Sequence, residues 1–172
     1  MPIGINGTGS ITGISAGGLP DATITQAELA SGVAGTGPAF SVYCNTAQSL
    51  TGTVYTKVQL NTELFDTANC FDSTTNYRFT PNVAGYYQFN GYCQVSSSST
   101  LWYVNLYKNG SVNNYGTYTG AAGASVVSSI SNLIYMNGST DYIEFYVFSS
   151  ASSSINAGVI TNGFSGYLVR AA

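Results

Sequence analysis

From Phe40 onward, apolar side chains recur at every second position in one segment after another. In residues 101–107, for example, Trp102, Val104 and Leu106 share one face, with other side chains between them. Successive side chains of a β-strand point to opposite faces, so this period of two predicts strands that each bury one face. Many short strands with no sustained helical period favour an all-β, antiparallel sandwich or barrel. The pattern is clearest in residues 86–93, 101–107 and 142–148.

Asparagine–glycine pairs lie between or near these segments. Such pairs favour the left-handed backbone that tight hairpin turns require. We therefore predict hairpin turns at three of them: Asn109-Gly110, Asn137-Gly138 and Asn162-Gly163.

The faces that should point to solvent are unusual because they are rich in tyrosine and almost free of charge. Only 6% of all residues are charged, and 14 are tyrosines. Monomeric proteins seldom expose large aromatic patches, whereas tyrosine suits protein interfaces. We therefore expect one sheet to pack against identical sheets of other subunits. The candidate interface residues are Tyr86, Tyr92, Tyr103, Tyr107, Tyr142, Glu144 and Tyr146, with Glu144 accepting hydrogen bonds from tyrosine hydroxyls, Arg78 or Lys108.

Residues 1–37 differ from the rest of the chain, because they are rich in glycine and contain no aromatic residue. Such a segment lacks the side chains for a core of its own. Thr25 and Glu28 have the spacing of a helix-capping box, and Ile24 and Leu29 stand where a hydrophobic staple would. We interpret 1–37 as an attachment or stalk segment with a short helix, anchored through these four residues, and 38–172 as a head domain.

The residue inventory argues against catalysis. The chain has no histidine, which removes the commonest general base and metal ligand. Its serines lack a base, and its few carboxylates form no obvious catalytic pair. We therefore predict no enzyme activity, no cofactor and no metal site; a calcium site at the acidic cluster of Glu63, Asp66 and Asp72 matches no known loop pattern.

The cysteines and the single tryptophan have ordinary structural explanations. Cys44, Cys70 and Cys93 form no C-x-x-C pair, so we expect buried free thiols, with a Cys44–Cys93 disulfide as the alternative. Trp102 is a candidate for stacking on a sugar, but it shares its strand face with aliphatic residues. That pattern favours a place in the core or at a subunit axis.

Composition also limits the partners. Four lysines and arginines, with a net charge of -3, do not make a phosphate-binding patch, so we expect no nucleic acid partner. No apolar run is long enough to span a membrane, and residues 1–4 have neither the basic region nor the apolar run of a secretory signal, so we expect neither feature.

Four motifs resemble the globular domain of the complement C1q family, a jelly roll of the tumour-necrosis-factor (TNF) type. They are residues 38–42 (PAFSV), 77–89 (YRFTPNVAGYYQF), 106–110 (LYKNG) and 163–169 (GFSGYLV), in the order that the family has them. Ala84 stands where that family favours proline. The resemblance implies a ten-strand antiparallel jelly roll that forms a homotrimer, and it implies that Asn90-Gly91 lies inside a strand.

The N-terminal segment resembles the glycine- and threonine-rich attachment pieces of bacteriophage fibres. Together, the two resemblances imply a phage virion protein made in the bacterial cytoplasm. In this interpretation, 1–37 binds another virion protein and the head is a tail or head fibre tip, with a host-surface glycan as a candidate partner for its loops. The alternatives are a capsid decoration or cement protein of the same fold and, less favoured, a glycan-degrading tail enzyme.

Overall fold

The computed structural model describes residues 37–96, 101–120 and 126–172. Every regular element within these ranges is a β-strand, and all strand pairs are antiparallel. The thirteen strands are β1 (Ala39–Tyr43), β2 (Gln48–Leu50), β3 (Thr56–Lys57), β4 (Thr62–Asp66), β5 (Phe71–Asp72), β6 (Arg78–Phe79), β7 (Ala84–Gln94), β8 (Trp102–Lys108), β9 (Ser111–Tyr115), β10 (Val127–Asn137), β11 (Ile143–Ser149), β12 (Ser153–Ile155) and β13 (Asn162–Ala171).

Two sheets form the sandwich. Sheet I has the strand order β10-β7-β13-β1-β4. Sheet II has the order β5-β6-β11-β8-β9, with β3 also paired to β11, and β2 and β12 form a small separate ribbon. The predicted all-β, antiparallel jelly-roll sandwich is confirmed. It has more strands than the ten implied by the resemblance, because several of the thirteen are only two or three residues long.

Aromatic rings from both sheets meet in the core. Phe40 of sheet I stacks on Phe79 of sheet II with ring centroids 4.4 Å apart, and Phe164 stacks on Phe145 at 5.4 Å. All four rings are buried. The predicted alternation is confirmed, since Trp102, like Val104 and Leu106, is fully buried on the inner face of β8. Trp102 is therefore a core residue and presents no surface on which a sugar could stack.

One of the three predicted asparagine–glycine hairpins is present. Asn109 and Gly110 have φ values of 53° and 78° and join β8 to its neighbour β9. Asn137-Gly138 instead begins a connection from sheet I to sheet II, because β10 and β11 belong to different sheets. Asn162-Gly163 opens β13 and is not a turn. A dipeptide reports local backbone preference, and it does not say which sheet the next strand joins.

Asn90-Gly91 lies within β7, as the resemblance implied. A Cβ atom at Gly91 would stand 2.5 Å from the ring of Phe145. The glycine therefore makes room for an aromatic ring from the opposite sheet, which explains a turn-like pair in the middle of a long strand.

Cys44, Cys70 and Cys93 are free and buried, so the expected free thiols are confirmed and the alternative Cys44–Cys93 disulfide is absent. The predicted anchor residues Ile24, Thr25, Glu28 and Leu29 lie outside the described residues. Within the described part of the chain, no helix has the length and apolarity needed to cross a membrane.

Candidate interaction surfaces

The solvent side of sheet I, which we call face I, carries large apolar side chains that are not covered. Leu133 and Tyr135 of β10 are 51% and 43% exposed, and Tyr167 of β13 is 50% exposed. Tyr86 of β7 packs edge-on against Tyr135 with a centroid distance of 5.5 Å, yet it remains 45% exposed. The strand pairing places Tyr135 opposite Tyr86, and Leu133 in one row with Gln88 and Tyr167.

Charge is scarce on face I. Strands β1, β7 and β10 contain no charged residue, β13 contains Arg170, and the edge strand β4 contains Glu63 and Asp66. A small polar network lies at the centre, where the Gln88 amide donates to Ser131 Oγ at 2.9 Å and Ser131 Oγ donates to Asn90 Oδ1 at 2.9 Å. Face I is thus an apolar surface with a satisfied polar centre.

The predicted interface residues do not share one sheet, so that expectation is wrong. Tyr86 and Tyr92 lie on sheet I, whereas the other five lie on or beside sheet II. Period-two alternation assigns a residue to one side of its strand, but it does not say which of two sheets the strand joins. Tyr92 is also sheltered by its own chain, because its hydroxyl donates to the carbonyl of Val159.

The solvent side of sheet II is covered by a continuous group of rings, which we call the tyrosine layer. Tyr107 stacks on Tyr146 with centroids 3.9 Å apart, and Tyr103 stacks on Phe148 at 5.0 Å. The Tyr55 and Tyr103 hydroxyl oxygens are 2.9 Å apart and hydrogen-bonded. The layer consists of Tyr55, Tyr103, Tyr107, Tyr115, Tyr118, Tyr146 and Phe148.

Three phenols of this layer, those of Tyr103, Tyr107 and Tyr146, keep their protons. Burial raises the pKa of Tyr103 and Tyr107, and burial together with the Glu144 charge raises the pKa of Tyr146 to about 12. Near neutral pH these hydroxyls are therefore hydrogen-bond donors as well as acceptors.

Asn105 lies in the middle of the tyrosine layer. Tyr103 and Tyr107 flank it two positions away on β8, and strand pairing places Tyr146 on one side and Tyr115 on the other. The Asn105 side chain is fully buried, and neither its amide nitrogen nor its amide oxygen has a hydrogen-bond partner. A buried amide without partners carries an uncompensated desolvation cost, so its presence needs an explanation.

Glu144 is buried at the edge of the layer, and its charge is compensated. Lys57 Nζ lies 2.5 Å from Glu144 Oε1. The expected donors to Glu144 (tyrosine hydroxyls, Arg78 or Lys108) are therefore not the ones observed. Arg78 lies over the Tyr142 ring at 4.3 Å, and Lys108 pairs with Asp141 at 2.8 Å.

The acidic residues considered as a calcium site instead accept hydrogen bonds from nearby groups of the chain. Asp72 accepts hydrogen bonds from the backbone N–H groups of Thr74, Thr75 and Asn76, and these bonds hold the pKa of its carboxyl well below the usual range. Asp66 accepts the N–H groups of Ala68 and Phe71, while Glu63 accepts from Ser73. Across residues 37–96, 101–120 and 126–172, no three acidic or cysteine side chains converge as metal ligands would.

Sequence reasoning missed the most exposed members of both surfaces. Leu133 and Tyr135 belong to a strand that is apolar on both faces near its end, so alternation alone did not separate them from buried Ile134 and Met136. Asn105 resembled an ordinary outward polar residue. Only the pairing of β8 with its two neighbours shows that four tyrosines surround it.

The strand order and the two sheets define a jelly roll of the C1q and TNF type, which confirms the predicted resemblance. The globular domain of zebrafish complement 1qA protein superposes with a TM-score of 0.60 at 20% identity, covering 78% of this chain and 98% of that domain. Murine APRIL at pH 8.0 gives 0.62 at 7% identity, over 77% and 98%.

A viral relative in fold is the PRD1 vertex protein P5. It superposes with a TM-score of 0.57 at 15% identity, covering 77% of this chain and 97% of that one. At these identities the similarity shows a common fold. No protein-family model and no curated protein sequence matches the chain.

Proposed function

We propose that this chain is a bacteriophage virion structural protein that acts without catalysis. Its jelly-roll head forms a homotrimer through face I, residues 1–37 attach it to another virion protein, and the exposed head contacts the host surface. The observation that carries this proposal is face I, a surface poor in charge with uncovered tyrosines and an uncovered leucine.

The energetics of face I favour permanent burial. Side chains such as Leu133, Tyr135 and Tyr167 each leave about half of their surface in water in a single subunit. Removing apolar surface from water contributes roughly 25 cal/mol per Å². Three faces meeting around one axis would bury on the order of 2,000 Å² or more, the range of permanent assemblies.

The similarity to the PRD1 vertex protein P5 supports the virion part of the proposal. A trimeric head on a glycine-rich segment also suits attachment, because three linked heads bind a repetitive surface with avidity. The same fold fits a decoration protein that clamps capsid subunits, so the place of the chain in the particle decides between fibre head and cement.

Mass measurement of the purified full chain in solution tests the assembly. We expect a trimer of 17.9-kDa subunits that persists at low micromolar concentration. A folded, soluble single copy with face I in water would contradict the proposal.

Particles lacking the protein test its role. Loss of adsorption to host cells with an intact capsid supports the fibre head, whereas fragile capsids with normal adsorption support the decoration protein.

A full-length chain carrying Ile24→Asp and Leu29→Asp should remain a trimer and fail to enter particles. Normal incorporation of this variant would refute the attachment role of 1–37.

A further inference from the structure

The tyrosine layer and face I differ in how their rings are sheltered. On face I the tyrosines point into solvent, so a large partner surface is needed to cover them. In the tyrosine layer the inner rings cover one another, and Tyr103 is only 6% exposed, while the outer rings of Tyr55, Tyr115 and Tyr118 remain exposed. The amide of Asn105, at the centre of the layer, is buried and unsatisfied.

We propose that the tyrosine layer is a binding site for a neutral saccharide and that Asn105 is its central polar contact. This inference rests on the proposed function, since it places the host-surface ligand of the head on sheet II instead of on loop tips.

The unsatisfied atoms of Asn105 match the chemistry of a sugar. Its amide offers one acceptor and a donor group side by side, and both lack partners. Adjacent hydroxyls of a pyranose can each donate and accept, so one sugar edge satisfies both atoms. An anion could use only the donor, and a cation only the acceptor.

The surrounding aromatic rings suit the apolar C–H face of a sugar. Ligand sites are commonly lined by aromatic groups with a few polar groups that fix orientation. The flat C–H face of a pyranose packs on aromatic rings, and the exposed rings of Tyr55 and Tyr118 offer such surfaces at 37% and 59% exposure. The protonated phenols supply further donors around the same centre.

The charges beside the layer favour a neutral ligand. Lys57 neutralises Glu144, and the Arg78 guanidinium lies over Tyr142. An aromatic cage for a quaternary ammonium gains from a free carboxylate nearby, whereas the Glu144 carboxylate beside these rings is already paired.

Access to the amide requires one ring to move aside. Tyr115 is the best placed, because it is paired directly with Asn105, lies on edge strand β9 and is half exposed. Rotation of exposed aromatic side chains is fast and involves no change of the backbone. A bound sugar would then occupy the space that the Tyr115 ring leaves.

The test follows the side-chain amide signal of Asn105 in the NMR spectrum of the full chain, assigned by its loss in Asn105→Leu. The probes are maltohexaose, cellohexaose and chitohexaose, with choline chloride and a sulfated heparin fragment as charged comparisons. We expect at least one neutral oligosaccharide to shift this signal, and neither charged probe to do so. No shift with any neutral probe, or a shift with choline or heparin alone, would overturn the inference.

Two variants separate binding from folding. Asn105→Leu removes the unsatisfied amide, so it should raise the melting temperature while weakening saccharide binding at least about tenfold. Asn114→Leu is the matched control. Asn114 is opposite Leu106 on β9, faces the core side of the sheet and also has an unpartnered amide oxygen. It should leave saccharide affinity within about twofold of the wild type.

Tyr118→Ala removes an exposed ring that packs on the proposed sugar, so it should weaken saccharide binding without changing the oligomer. Loss of the oligomer in Tyr118→Ala or Asn105→Leu would assign the layer to a contact between copies and overturn the saccharide site. A trimer that binds none of the neutral probes refutes this inference alone. A monomer that binds them refutes the proposed assembly and leaves the site in place.

Discussion

Single glycines make room for the aromatic rings of the core. At Gly91 of β7, the ring of Phe145 from sheet II occupies the space that a side chain would take. Gly166 makes similar room within sheet I, because a Cβ atom there would lie 2.8 Å and 2.7 Å from the rings of Phe40 and Phe89. The close aromatic packing of the core therefore depends on glycines inside strands, where glycine is otherwise unfavourable.

Gly91→Ala should destabilise the head by about 1–3 kcal/mol, because the new methyl group overlaps the Phe145 ring in a closed core. Chemical denaturation of the variant and the wild type measures the loss. Phe145→Leu in the same chain is the control, since the smaller side chain should recover part of the loss in a double-mutant cycle. Additive effects of the two substitutions would contradict the contact.

At the scale of elements, side-chain alternation was readable from the sequence and strand partnership was not. The inward sets of β7, β8 and β11 were predicted correctly, because burial imposes a period of two on each strand by itself. The sheet that each strand joins depends on contacts between residues far apart in sequence, such as Tyr146 with Asn105. The resemblance supplied the overall topology, while the division of the tyrosines between two surfaces required the structure.

The loop after β5 gives a pH-dependent prediction. Hydrogen bonds hold the pKa of Asp72 below its ordinary value in the folded state. Its stabilising effect is therefore complete above the unfolded pKa near 4 and is lost as the pH falls through and below that value. Asp72→Asn should lower stability by about 1 kcal/mol at pH 7 and little at pH 2. Denaturation curves across this range check the difference, and a constant gap at all pH values would exclude the mechanism.

At the scale of the whole molecule, the sandwich has two aromatic sides with different physical states. Face I leaves its rings in water, and among the described residues it has no buried unsatisfied amide, which favours a subunit contact. The tyrosine layer shelters its inner rings and leaves the buried amide of Asn105 unsatisfied, which favours a small polar ligand. Composition predicted an excess of outward tyrosine, but only the three-dimensional arrangement separates these two uses.

Introducing a negative charge on face I and, separately, in the tyrosine layer tests which of the two surfaces forms the subunit contact. Tyr167 on face I and Tyr118 in the tyrosine layer are both tyrosines with half or more of their surface exposed in a single subunit. Tyr167→Glu would bury one carboxylate per subunit in the proposed trimer, which costs about 3 kcal/mol or more for each unpaired charge. We therefore expect sedimentation of Tyr167→Glu to give monomers at micromolar concentration, while Tyr118→Glu remains a trimer. Dissociation by Tyr118→Glu alone would move the subunit contact to sheet II, because a charge disrupts an assembly only where the assembly removes it from water.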